Sequence, residues 1–242
     1  MTAPTVLGNA GYATASKSHV SSASFSVNIP TATNFLIAQI VQETPSSSGA
    51  AYCSMTVGGQ AATARYQSIH GTGNQKFGVL YKVAPLTGTR TIVVSTNVMA
   101  AIAVNILFVS GVDPASPIVN DTSAVYGDTY TTSPALSLAS NPDWLSWTCA
   151  DQNRYQNDGY FQGYPSAGWT QAGSVQRGGT WNNDSDDPKY WYAHSMQGYR
   201  AGVTGSQSVQ WHFPYMGAPL VYLCHIRGIS AAKGVSQACF FF

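Results

Sequence analysis

The chain has 242 residues, a net charge of +1 and only 9% charged residues, with a single glutamate, Glu43. Its few lysines and arginines are scattered, which excludes sequence-independent nucleic-acid binding, a function that needs several cations on one face. A chain this poor in Glu and Lys lacks the usual material of helices, while 44% apolar residues suffice for a packed core, so a helical protein and a disordered one are both excluded.

Residues 1–19 are small and polar and read as an N-terminal arm, either extended or an edge strand. They contain no basic stretch followed by an apolar one, so no signal peptide is expected, and folding in a cytoplasm without export is. Val20 to Ile29 alternates as a strand does, Pro30 to Asn34 is a turn, and Phe35 to Val41 is a buried strand. Thr44 to Ala50 is a loop. Tyr52 to Val57 runs into Gly58-Gly59, a hairpin signal, and Ala61 to Ser68 returns.

Lys76 to Val112 predicts three successive strands. Phe77, Val79, Tyr81 and Val83 alternate with their neighbours, and Pro85 to Gly88 breaks the run. Thr89 to Ser95 is β-branched. Ala101 to Val109 is almost continuously apolar, as a strand covered on both faces should be. The apolar run Met99 to Val109 is far too short to cross a membrane as a helix, and no membrane association is expected. Gly111 opens a long polar connector reaching Ser133.

Beyond it, strands are expected at Leu136 to Leu138, Trp144 to Ala150, Trp169 to Val175, Tyr190 to Met196, Ser206 to Phe213 and Pro219 to Ile229. Asp151 to Ala167 and Arg177 to Pro188 read as polar loops, and 230–242 as a C-terminal tail whose Phe240-Phe241-Phe242 should be tucked into a seam. The whole predicts an all-β, antiparallel, jelly-roll-like sandwich with little or no helix. The segment 20–229 is expected as a single domain of two sequence-similar halves, 20–112 and 133–229. The halves echo one another: Phe35 with Trp144, Phe77 with Tyr190, Thr91 with Ser208 and Phe108 with His225, at offsets of 109, 113, 117 and 117 residues (144 − 35, 190 − 77, 208 − 91, 225 − 108).

Three stretches carry a resemblance: Ser110-Gly111-Val112-Asp113-Pro114-Ala115-Ser116-Pro117-Ile118 after a strand, Leu80-Tyr81-Lys82-Val83-Ala84-Pro85 with Thr87-Gly88-Thr89 upstream, and Gly168-Trp169-Thr170 in the second half. Over roughly residues 20–229 the chain resembles a β-sandwich unit of phage virion proteins and some bacterial surface proteins. The resemblance implies a structural or adhesive role and carries over no catalytic residue. It makes the expected location a virion and the expected partners the major capsid protein or other virion proteins, with a homo-oligomer, a trimer, as the working state.

No nucleophile elbow, zinc-protease helix, P-loop or dinucleotide fingerprint is present, so no enzymatic activity and no cofactor are expected. His194, His212 and His225 fall on predicted strands and are candidates either for a metal site or for ordinary hydrogen bonding. Asn182, Asp184 and Asp186 have alternating oxygen ligands suited to Ca²⁺, but the glycine at the sixth position and the glutamate at the twelfth are missing, which favours a solvated turn. Cys53, Cys149, Cys224 and Cys239 read as free thiols, with a Cys149–Cys224 disulfide as the alternative. Tyr155, Tyr160, Phe161, Tyr164 and Trp181 fall in polar loops. There they would pack against the sandwich, anchor a protein partner, or stack on a cell-surface glycan. The strand residues Trp144, Trp147, Trp191 and Trp211 are expected mostly in the core.

Overall fold

The structure, a computed structural model, describes residues 3–14, 20–44, 52–70, 75–125, 135–152, 164–181, 189–202, 204–213 and 219–229. All regular structure among them is strand, paired antiparallel throughout. In chain order the first half holds β1 (Thr5–Ala13), β2 (Val20–Ile29), β3 (Phe35–Glu43), β4 (Cys53–Val57), β5 (Gln60–Ala61), β6 (Thr63–His70), β7 (Gln75–Val83) and β8 (Gly88–Ser110). The second holds β9 (Ile118–Val125), β10 (Ala135–Ser140), β11 (Trp144–Gln152), β12 (Tyr164–Pro165), β13 (Thr170–Trp181), β14 (Lys189–Ala201), β15 (Gly205–His212) and β16 (Leu220–Arg227).

The two strands expected at 89–95 and 101–109 are one strand, β8, of 23 residues. No Gly or Pro separates them, so the chain bends between layers without breaking. The first part of β8 pairs with β2 and β4, and the second part with β1 and β3. Two layers result: β2–β8–β4–β5 and β1–β8–β3–β7–β6. The second half has a three-stranded layer, β10–β15–β12, and a five-stranded one, β13–β14–β11–β16–β9.

Side-chain alternation then dictates how the layers stack. Every residue of β3 is buried. Leu36, Ala38 and Ile40 face Val27, Met55, Ile92 and Val94 of the first half's smaller layer. Phe35, Ile37 and Val41 face Leu145, Trp147, Tyr222 and Ile226 of the second half. The opposite face of the second five-stranded layer, with Ala150, Met196, Val221 and Leu223, covers Leu136, Val209 and Trp211. Four layers thus stack in the order small, large, large, small. Each half is a sandwich, and the two large sheets share a central core.

The halves repeat each other in strand order, with β8 matched by β15 and β16 together and β5 without a counterpart among the described residues. β1–β8–β3–β7–β6 corresponds to β9–β16–β11–β14–β13, and β2–β8–β4 to β10–β15–β12. The registers agree in detail. Val109 pairs with Phe35 and Val6, and Ile226 pairs with Leu145 and Ile118. A bulge interrupts β1 opposite Phe108–Val109, and another interrupts β9 opposite His225–Ile226. β6 bulges opposite Val79–Leu80, and β13 opposite Gln197–Gly198. Left-handed backbone recurs too: Ala84 (φ 47°) donates its N–H to Asn34, and Gly202 (φ 66°) donates to Trp144 in the same place. Bulges are built-in features of a sheet, so their shared positions are a strong sign of one design used twice.

The registers correct the sequence echo at two points. Phe35 corresponds to Leu145 and Phe77 to Ser195, offsets of 110 (145 − 35) and 118 (195 − 77) rather than 109 and 113. Both differences are odd, and an odd slip moves a side chain to the other face of its sheet. The repeat also takes in β1, from the expected arm, and β9, from the expected connector. β9 was hidden because Asn120, Asp121, Thr122 and Ser123 break the apolar pattern of what is a half-buried edge strand. Arg177 to Trp181, expected as loop, continues β13 and pairs with 189–193 of β14.

The central interface is sealed by polar side chains on one flank and aromatic ones on the other. Gln39 donates to the Ala150 carbonyl (2.8 Å) and accepts from Ser195 Oγ (2.8 Å). Asn105 donates to Ser195 Oγ (3.1 Å). Gln197 accepts from Trp147 Nε1 (3.1 Å) and donates to the Ile106 carbonyl (3.2 Å). Buried polar groups must be paired, and here pairing also sets the register of one half on the other. At the aromatic flank Arg65, the bulged residue of β6, forms an ion pair with Asp121 of β9, which also accepts from the Tyr222 hydroxyl (2.8 Å).

Candidate functional site

The two halves point the same way. Antiparallel bridging of Val112 to Gly228, with Asp113 N–H to the Arg227 carbonyl (2.9 Å) and Ile229 N–H to the Gly111 carbonyl (2.8 Å), joins them at the end marked by Phe35. Short turns fill that end: Thr33 N–H returns to Pro30, and Trp144 N–H to Asn141 (both 3.0 Å). At the opposite end, marked by Glu43, stop the strands that flank residues 15–19, 45–51, 71–74, 126–134, 153–163, 182–188 and 214–218. One end of the body therefore carries the longest connections of both halves.

Most exposed large hydrophobics of the described residues lie at the Glu43 end. They are Tyr52 (65% exposed), beside the start of β4; Ile69, one residue before the end of β6; Val125, last in β9; and Tyr164 (55% exposed), opening β12. Tyr164 pairs with His212, and their rings stack at 5.1 Å with 27° between planes. Tyr52 was missed in the sequence because a tyrosine next to a strand looks like a core residue until its side of the sheet is known.

Of the aromatic residues predicted for binding, Tyr164 is thus exposed at this end. Trp181 ends β13 opposite Lys189, and its side chain lies outside the described residues. Tyr155, Tyr160 and Phe161 also lie outside them, as do Asn182, Asp184 and Asp186 of the calcium candidate and the tail 230–242.

Trp147 and Trp211 are fully buried, and Trp169 nearly so. Their indoles are satisfied structurally: Trp169 donates to the Ser208 carbonyl (3.0 Å), and Trp211 donates to Thr148 Oγ1 (3.0 Å), which in turn donates to the Tyr222 carbonyl (2.9 Å). Trp144 is partly exposed and packs on His225 at 5.6 Å.

The three histidines do not converge. His225 is buried beside Trp144 toward the Phe35 end, whereas His212 stacks on Tyr164 at the other end. The side chain of His194 lies outside the described residues. Burial pushes the His225 pKa down to about 4, so the ring is neutral at physiological pH. Among the described residues no three His, Cys, Asp or Glu side chains form a metal-binding group.

Cys53, Cys149 and Cys224 are free thiols, which removes the Cys149–Cys224 disulfide. Burial pushes the Cys53 thiol up to about 12 and those of Cys149 and Cys224 well above the ordinary range, the opposite of what a nucleophile needs.

The fold is an all-β antiparallel stack, and its exposed chemistry is aromatic and apolar side chains at one end. Comparison with protein-family models, curated proteins and solved structures finds no match to this chain.

Proposed function

We propose that the protein is a structural component of a phage virion, a capsid decoration or fibre protein that works through protein–protein contacts as a homo-oligomer. The observation that carries this reading is the concentration of exposed Tyr52, Ile69, Val125 and Tyr164 at the Glu43 end of a body that is otherwise sparsely charged. Large side chains of this kind anchor interfaces, and a surface poor in Lys and Glu suits permanent burial. In this mechanism each copy covers a seam between capsid subunits, and the area buried over many copies resists internal pressure. Copy number on purified particles, together with light scattering of the free protein, tests it. A monomer that does not sediment with capsids would overturn it.

A second reading is supported by the stacked pair Tyr164–His212. It is a glycan-binding module of a tail or cell surface, in which Tyr164 acts with Tyr155, Tyr160, Phe161 and Trp181. Aromatic rings stack on the apolar face of a pyranose. A glycan array tests it, and undiminished binding by the double variant Trp181→Ala, Tyr160→Ala would remove it.

A further inference from the structure

Inside the first sandwich, at the Glu43 end, Lys76 of β7 stands directly across from Gln42 of β3. Both share the face of Leu80 and Ile40, between the two layers of the half. Both are buried, Lys76 at 0% exposure and Gln42 at 1%; among the described residues the Lys76 ammonium has no hydrogen-bond partner, and the Gln42 amide reaches no oxygen or nitrogen, only the Cys53 sulfur. One step further in, Gln67 of β6 lies across from Gly78. Its Nε2 donates to the Cys53 carbonyl (2.8 Å), which orients the amide and leaves Oε1 buried and without a donor. Lys76 Nζ, the Gln42 amide and Gln67 Oε1 therefore share one face of neighbouring strands, with no oxygen or nitrogen partner for them among the described residues.

A buried cation without a counter-charge is among the costliest arrangements in a protein. The neighbouring connections supply no anion: residues 15–19, 45–51 and 71–74 contain no Asp or Glu. Glu43 alternates to the opposite face of β3, that of Val41. Burial holds the Lys76 amine below its ordinary pKa, so a bound anion would be rewarded by restoring the charge.

The register partners at the equivalent position of the second half are Gln152 and His194, again a glutamine across from a basic residue.

We propose that this end of the first sandwich is an oxyanion site, in which Lys76 and the Gln42 amide N–H donate to the anion while Gln42 Oε1 and Gln67 Oε1 accept from a hydroxyl on the same ligand. The ligand class is a hydroxylated oxyanion, either the carboxylate of an acidic sugar or hydrogen phosphate. The site is independent of which partner the exposed aromatics meet.

Thermal unfolding of the full chain, with sodium glucuronate, sodium phosphate or sodium acetate against sodium chloride at equal ionic strength, tests it. At a hundredfold excess over Kd, glucuronate or phosphate should raise the midpoint by about 5–10 °C, and acetate, which lacks the hydroxyl, by less. A larger rise with glucuronate assigns the sugar acid, and a larger rise with phosphate the inorganic ion. Lys76→Met, which keeps the length and removes the charge, should abolish the rise. If that variant does not fold, Gln42→Leu is read in its place. No rise over chloride in the wild-type chain, or an equal rise in the variant, would overturn the proposal.

Discussion

Tyr66 and Tyr222 pack ring against ring across the central interface, tilted by 36° with centroids 5.3 Å apart, and the positions equivalent to them in the repeat are Gly173 and Asn105. The same contact is thus made once by two large rings and once by a bare backbone against a small amide. A Cβ on Gly173 would lie 3.0 Å from Asn105 Oδ1 and 3.5 Å from Gln197 Nε2. This asymmetry fits the first half to the second better than to another copy of itself, since a self-pair would set Tyr66 against Asn105. Gly173→Ala should therefore disturb the polar flank and destabilise the chain by about 1–3 kcal/mol. Urea denaturation measures it, and a change below about 0.5 kcal/mol would mean that the interface has slack there.

The interior of the first sandwich makes a second close approach. A Cβ on Gly78 would come within 2.4 Å of Cys53 Sγ, closer than any real contact. Gly78→Ala is expected to cost about 1–3 kcal/mol by overpacking. Cys53→Ala removes the opposing sulfur, so the double variant should recover much of that loss. Additive effects in the double-mutant cycle would contradict the geometry.

Stability should fall in mild acid through His225. Its folded-state pKa is depressed to about 4 from 6.5, so the unfolded chain binds the proton first as pH drops. The neutral ring's contribution is intact above about pH 6.5 and is lost progressively down to about pH 4, by about 2 kcal/mol at pH 4.5. The equivalent residue of the first half is Phe108, so His225→Phe is a replacement the fold already uses. Urea midpoints of that variant at pH 7 and 4.5 should differ less than those of the wild type.

Thiol reagents at pH 7.5 should leave Cys53, Cys149 and Cys224 unmodified in the native protein and modify all three in denaturant, as read by peptide mass spectrometry. Rapid native modification of Cys149 or Cys224 would show that the central core opens.

Thr148→Val keeps the shape of the side chain but leaves Trp211 Nε1 without its acceptor. A loss of about 1–3 kcal/mol in chemical denaturation is expected, with native tryptophan fluorescence altered. A neutral result would mean that water replaces the hydroxyl.

Composition and local pattern alone determined the class of this protein. A chain with one glutamate and β-branched, alternating runs had no route to helix, and the doubly apolar run 101–109 could only lie between two layers, because its side chains point both ways. Val20–Ile29 was legible to the residue for the same reason. Pairing was not legible, since hydrogen-bond register depends on residues far apart in the chain. Only the tertiary structure showed that Leu145, not Trp144, matches Phe35, that polar β9 closes the second sheet, and that the longest connections leave from one end. It also brought Lys76 opposite Gln42, 34 residues away (76 − 42), a juxtaposition that no local spacing encodes. A strand's own sequence sets which faces are apolar, but only its neighbours decide what each face meets.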